Sequence, residues 1–140
     1  MKIAVAGTGY VGLVTGIALA HVGHNVTCVD VDVAKVELMK KGISPIYEKD
    51  LEELMKKNKE RINYTTDYKS AYKNAEVIFI GVGTPERVDG SANLDYVYSV
   101  VEQIAESLEN DCVVVVKSTV PIGTNDDIEK YLKSHVKSGL

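Results

Sequence analysis

The sequence is short of several things, and each shortage narrows what the chain can be. Only two cysteines, Cys28 and Cys112, occur in 140 residues. Both fall in predicted strands, which points to buried thiols of a reducing compartment and not to a disulfide pair. No apolar run approaches the length of a membrane span. Met1-Lys2 leads straight into the first predicted strand, so no signal peptide is expected and the expected location is cytoplasmic. Positive charge is not in excess either: 16 Lys and Arg stand against 20 Asp and Glu, a net charge of -4. That balance gives no electrostatic reason to expect nucleic acid or an anionic membrane as partner. There is no linker, no low-complexity segment, and no repeat beyond a recurring strand–helix unit. What remains is ordinary for a globular protein, 45% hydrophobic and 26% charged. The length suits one domain that buries about two-thirds of its unfolded surface.

The first thirty residues organise the rest. Lys2-Ile3-Ala4-Val5-Ala6 is a short apolar run, the pattern of a parallel strand covered on both faces. It enters Gly7-Thr8-Gly9-Tyr10-Val11-Gly12, a G-x-G-x-x-G, followed by an expected helix with Val14, Ile17, Ala18 and Val22 at helical spacing and Gly23 as its stop. Val26-Thr27-Cys28-Val29 reads as a second strand ending on Asp30. In such a unit one glycine permits the tight turn, the second lets backbone approach a pyrophosphate, and the third lets helix pack on strand. The free N–H groups and dipole of the helix start favour the phosphate charge. An acid placed as Asp30 is placed can accept from a ribose hydroxyl. Gly7, Gly9, Tyr10, Val11, Gly12 and Asp30 are therefore the expected cofactor residues. A carboxylate at Asp30 repels the extra phosphate of NADP, and no arginine follows at Val31, Asp32 or Val33. Lys35 is the one nearby cation. FAD proteins share the glycine pattern and are not excluded by these residues; NAD fits better.

Beyond Asp30 strands and helices alternate. Helices are expected over Ala34 to Lys41, around Leu51, Leu54 and Met55, over Tyr68 to Asn74 behind an Asp67 cap, from an Asn93 cap along Leu94, Val97, Val101, Ile104 and Leu108, and finally to about His135. Ile62 to Thr65, Glu76 to Ile80 and Cys112 to Val116 read as strands, the first polar enough for a sheet edge. The predicted fold class is α/β, a Rossmann-type doubly wound parallel sheet of order 3-2-1-4-5. Its switch point gathers the Gly7–Gly12 turn, Asp30, Gly81 to Thr84, and Ser118-Thr119 into one crevice. Cys28 and Cys112 read as structural strand thiols. His21 and His24 have no apparent third ligand, so no metal is expected.

Three stretches in register carry a family resemblance: Gly7-Thr8-Gly9-Tyr10-Val11-Gly12-Leu13-Val14-Thr15-Gly16, Val82-Gly83-Thr84-Pro85 with Asp89-Gly90-Ser91-Ala92-Asn93-Leu94, and Lys117-Ser118-Thr119-Val120-Pro121-Ile122-Gly123-Thr124. Together they resemble the amino-terminal domain of the UDP-glucose 6-dehydrogenases, with relatives that act on GDP-mannose or UDP-N-acetylmannosamine less sharply separated. The resemblance implies that Val11 and neighbouring backbone hold the NAD pyrophosphate, that Asp30 and Lys35 meet the adenosine ribose, and that Thr84 and Thr119 lie near the nicotinamide half. Thr84 could instead serve only the turn before Pro85, and Thr119 only cap the last helix. Tyr47-Glu48-Lys49-Asp50-Leu51 departs from the family pattern, which has proline and glycine in its middle.

Members of the family oxidise the sugar C6 alcohol twice, reducing two NAD through a cysteine-bound thiohemiacetal. The residues for this lie beyond the matching segment, and neither cysteine here has the context of the nucleophile. The expectation is thus a cofactor domain over residues 1–140 that ends where a sixth strand should begin, with no catalytic residue of its own, meeting the nucleotide sugar only through a missing domain and incapable of turnover alone. A free-standing NAD-binding sensor or partner subunit makes the same cofactor prediction, whereas a methyltransferase would need a different glycine spacing. Without a sixth strand, Cys112 to Val116 presents an apolar edge, and either self-association through it or a tail folded over it is expected.

Overall fold

The computed structural model describes residues 1–140 and contains five parallel strands. These are β1 (Lys2–Ala6), β2 (Asn25–Val29), β3 (Ile62–Thr65), β4 (Val77–Ile80) and β5 (Val113–Val116). Their spatial order is β3-β2-β1-β4-β5, the order expected from the alternation. Six α-helices fill the connections: α1 (Tyr10–His21), α2 (Val33–Lys40), α3 (Leu51–Lys57), α4 (Tyr68–Lys73), α5 (Asp95–Ser107) and α6 (Thr124–His135).

Strand alternation distributes the core into two layers. Ile3 and Val5 of β1, with Val26 and Cys28 of β2, pack under α1, α2 and α3 through Leu13, Ile17, Ala20, Val36, Met39, Leu51 and Met55. Ala4 and Ala6, with Ile78 and Ile80 of β4, pack under α4, α5 and α6 through Tyr72, Val97, Val101, Ile104 and Ile128. Both faces of the central strands are thus dry, which is why they read as unbroken apolar runs. The polar β3 lies at an edge, as its composition foretold.

One helix face differs from expectation. In α1 the buried residues are Gly12, Leu13, Gly16, Ile17 and Ala20, whereas Val22 is 72% exposed and Ala18 also faces out. The helix is apolar nearly all round, so periodicity could not choose its inner face. Packing chooses it through Gly16, where an added Cβ would lie 2.8 Å from Cys28 Sγ. Only a glycine there lets the helix sit this close to β2.

One cap follows the sequence closely: Asp67 accepts from the Ser70 amide at the start of α4. Asn93, expected to cap α5, stands one residue before the N-cap Leu94, and its Oδ1 accepts from the Asp95 amide at 2.9 Å in a local turn that leads into the helix. Asp50, in the stretch that departs from the family pattern, has φ +64. That is left-handed backbone, which favours glycine and which aspartate tolerates better than most residues.

Candidate functional site: the glycine turn at the switch point

Strand order reverses between β1 and β4, and the carboxyl ends of both open onto the turn that leads into α1. Three glycines there press backbone against backbone. Gly7 has φ +96, and a Cβ on it would meet the Gly81 carbonyl oxygen at 2.9 Å. On Gly12 a Cβ would lie 2.0 Å from the Gly7 carbonyl oxygen, and on Gly81 it would lie 3.0 Å from Gly12 Cα. The turn, the first turn of α1 and the end of β4 are thus locked together by the absence of side chains.

Gly9 is different. Nothing of the protein lies within 4 Å of where its Cβ would be, and its φ of -73 is open to any residue. Its lack of a side chain keeps space free above the helix start. Gly9 is the N-cap of α1 without a side-chain cap, and no acidic residue occupies the first turn. The amides of Tyr10, Val11 and Gly12 have no acceptor within the chain. This is an unsatisfied, positively polarised helix end facing an open cradle, the chemistry that suits a diphosphate. Val11 and Tyr10 flank it, 42% and 59% exposed. The Tyr10 phenol is held above its usual pKa because Glu48 accepts its hydrogen bond and adds negative charge.

Asp30 is placed beside this cradle by the sheet itself. The Gly7 amide donates to Val29 O at 2.8 Å and the Asp30 amide to Thr65 O at 3.1 Å, extending the ladders past the strands. The carboxylate is then fixed from three sides. Oδ2 accepts from the Thr8 amide at 3.1 Å and the Thr8 hydroxyl at 2.5 Å, and Oδ1 accepts from the Asp32 amide at 2.9 Å. Thr8 is itself fully buried. Asp32 caps α2, accepting from the Ala34 and Lys35 amides, and so places Lys35, half-buried and outside the chain's ion pairs, in the first turn of that helix. Neither Thr8 nor Asp32 was singled out from the sequence. Asp32 carried a readable signal, an aspartate just before a helix; Thr8 carried none beyond standing between two glycines.

On the other side of the switch point, the Ser118 hydroxyl donates to Val82 O at 2.7 Å and ties the turn after β5 to the turn after β4. This brings the stretches holding Thr84 and Thr119 side by side. Thr119 is exposed and does not cap α6, whose N-cap is Gly123 with φ 95 and no side-chain bond. The cysteines lie away from the crevice. Burial pushes the Cys28 thiol up to about 12 and the half-buried Cys112 thiol up to about 11, the state of unreactive structural thiols. His21 meets Asn58 Nδ2 at 3.2 Å and His24 meets the amino terminus at 3.2 Å, so the two rings serve separate local contacts.

A doubly wound parallel sheet with a glycine turn and a sheet-end acid at its switch point defines a dinucleotide-binding Rossmann domain. Residues 1–140 match the NAD binding domain of the UDP-glucose/GDP-mannose dehydrogenase family, and the chain belongs to that family. It is 51% identical over 138 residues to the UDP-glucose 6-dehydrogenase YwqF of Bacillus subtilis, covering 97% of this chain and 31% of that protein. The UDP-glucose 6-dehydrogenase of Rhizobium meliloti is 48% identical over 136 residues, 95% of this chain and 31% of that protein. Among solved structures, a UDP-glucose dehydrogenase from Pyrobaculum islandicum superposes with a TM-score of 0.91 at 33% identity, covering 97% of this chain and 33% of that one. A GDP-mannose dehydrogenase from Pseudomonas aeruginosa gives 0.88 at 38% identity, covering 94% and 31%. The chain therefore spans about a third of the length of the relatives it matches. Its cofactor is NAD, as the family determines. No helix is long and apolar enough to cross a membrane.

Proposed function

We propose that this chain is the NAD-holding part of a UDP-glucose 6-dehydrogenase and that it performs no turnover by itself. The observation that carries the reading is the open cradle over Gly9, with three unpartnered amides at the start of α1 and a pre-oriented Asp30 beside it. In this reading Gly7, Gly9, Tyr10, Val11 and Gly12 receive the pyrophosphate, the amides supplying donors and the helix end partial positive charge. Asp30 accepts from the adenosine ribose, and Lys35, in the first turn of the helix that follows, contributes beside it. The hydroxyls of Thr84 and Thr119 flank the nicotinamide half, where small polar groups orient the ring without filling the crevice. Bound NAD supplies a hydride acceptor; the chain's own residues bind and orient it.

UDP-glucose as the substrate of the whole enzyme is supported by seven curated relatives at 43–51% identity that are named UDP-glucose 6-dehydrogenases. The sugar, and the residues that act on it, belong in this reading to the part of the relatives that this chain does not span. Calorimetric titration tests the cofactor half: NAD binds and NADP binds much more weakly, and equal affinity for both would refute the role of Asp30. Incubation with NAD and UDP-glucose tests the remainder. No NADH is expected, and steady turnover would show catalytic machinery within the 140 residues.

A further inference from the structure

A carboxylate repels the 2′-phosphate of NADP only while it stays beside the ribose. Asp30 is half-buried at the open end of β2, and a side chain free to rotate there would turn out to solvent, where its charge is screened. The Asp32 carboxylate faces α2 instead, accepting from the Ala34 and Lys35 amides at 3.0 and 3.2 Å. With Asp30 turned away, Lys35 in the first turn of α2 is the one cation between residues 31 and 35 for a phosphate to meet. The charge at position 30 therefore guards the site only as firmly as it is held.

It is held at both oxygens, by donors from two different turns. Oδ2 takes the Thr8 amide at 3.1 Å and the Thr8 hydroxyl at 2.5 Å, and Oδ1 takes the Asp32 amide at 2.9 Å. The three bonds differ in what it costs to break them. Asp32 is exposed, so its amide can turn to water. Thr8 is fully buried, and neither its amide nor its hydroxyl has another acceptor in the chain. If Asp30 swings out, both donors are stranded away from water and their full desolvation cost falls on the swung-out state.

We propose that Thr8 is a positioning residue for cofactor choice: its buried hydroxyl pins the Asp30 carboxylate beside the ribose and so keeps a 2′-phosphate out. This rests on the reading of Asp30 as the ribose acceptor and adds what makes that site selective. The amide bond is available from any residue at position 8 except proline, whereas the hydroxyl comes from threonine or serine among side chains small enough for the place.

Calorimetric titration of the 140-residue chain with NAD and with NADP, in the parent and in variants, tests this. Thr8→Val keeps the volume of the side chain and removes the hydroxyl, so that an Asp30 turned away strands one donor fewer. The preference for NAD should fall at least about tenfold, with NADP binding more tightly than it does to the parent. Thr8→Ser should keep the parental preference to within about twofold. Thr8→Ala carries the same expectation as the valine variant, and urea melts show which of the two is folded for the comparison. A Thr8 that only supports the fold would weaken both dinucleotides alike, and an unchanged ratio in the folded variants overturns the proposal. Asp30→Asn separates this from the underlying reading. If Asp30→Asn loses the preference and Thr8→Val keeps it, the role of Thr8 falls and that of Asp30 stands. If Asp30→Asn keeps it too, Asp30 is not the ribose acceptor and both fall.

Discussion

Thr8 and Asp30, 22 residues apart, are joined by two hydrogen bonds to a single carboxylate oxygen, one from the Thr8 amide and one from its hydroxyl. The first binds the glycine turn to the end of β2 through backbone, whatever residue stands at 8. The second depends on the threonine side chain, which is fully buried and unable to reach a ligand itself.

Thr8→Val keeps the shape of the side chain and removes the hydroxyl. We expect NAD to bind about 0.5–1.5 kcal/mol more weakly, the net worth of one hydrogen bond felt through the carboxylate it orients, with Thr8→Ser close to the parent. Titration calorimetry reads both. Tighter binding by the valine variant would mean that the Thr8 hydroxyl competes with the ribose for Oδ2. Asp30→Ala, which removes the acceptor altogether, should cost about 1.5–3 kcal/mol of NAD affinity, and parent-like affinity would remove Asp30 from the site.

The two outer positions of the glycine motif should fail in different ways from its middle. Gly12→Ala would place a Cβ 2.0 Å from the Gly7 carbonyl oxygen, a backbone atom that cannot yield without opening the turn. A loss of more than about 4 kcal/mol of folding stability is expected. Gly9→Ala meets nothing within 4 Å and should fold as stably as the parent, within about 1 kcal/mol. It should nonetheless bind NAD at least about tenfold more weakly, a loss of about 1.4 kcal/mol. Urea melts alongside calorimetry separate the effects. A Gly9→Ala variant with normal affinity would show that the phosphates do not pass over Gly9.

This contrast also marks what could be read in advance. The turn, the five strands and their order were legible because the signals are local: glycines at fixed spacing, apolar runs of strand length, and an acid after the second run. The crevice followed from topology, since strand ends at a switch point converge whatever their sequence. The Thr8–Asp30 link was not legible, because a buried hydroxyl between two glycines gives no periodic or compositional signal. Nor was the inner face of α1, where apolar residues on every side left the choice to the fit of Gly16 against Cys28.

That fit can be measured as a coupling. Gly16→Ala gains helix propensity of up to about 1 kcal/mol but drives a methyl to 2.8 Å from Cys28 Sγ. Overpacking should dominate, costing about 1–3 kcal/mol. Cys28→Ala makes room for that methyl. In its background the same glycine substitution should become neutral or stabilising, a coupling of at least about 1 kcal/mol in a double-mutant cycle. Additive effects would mean that the helix shifts freely and that the contact does not set its position.

Cys28 also makes stability depend on alkaline pH. Its thiol is fully buried and burial raises its pKa from 9.0 to about 12, so the folded chain holds a proton that the unfolded chain releases. The resulting stabilisation is complete below pH 9.0 and is lost as the pH rises through about 12. Across that window the group should withdraw about 1.4 kcal/mol for each pH unit. Burial raises Cys112, Tyr64 and Tyr72 as well, adding to the decline in the same direction. Urea midpoints should therefore be level from neutrality to about pH 9 and then fall, and Cys28→Ala should make the fall shallower. An unchanged slope in that variant would mean that the thiol ionises in place, with water reaching β2 beneath α1, and the close packing through Gly16 would be refuted with it.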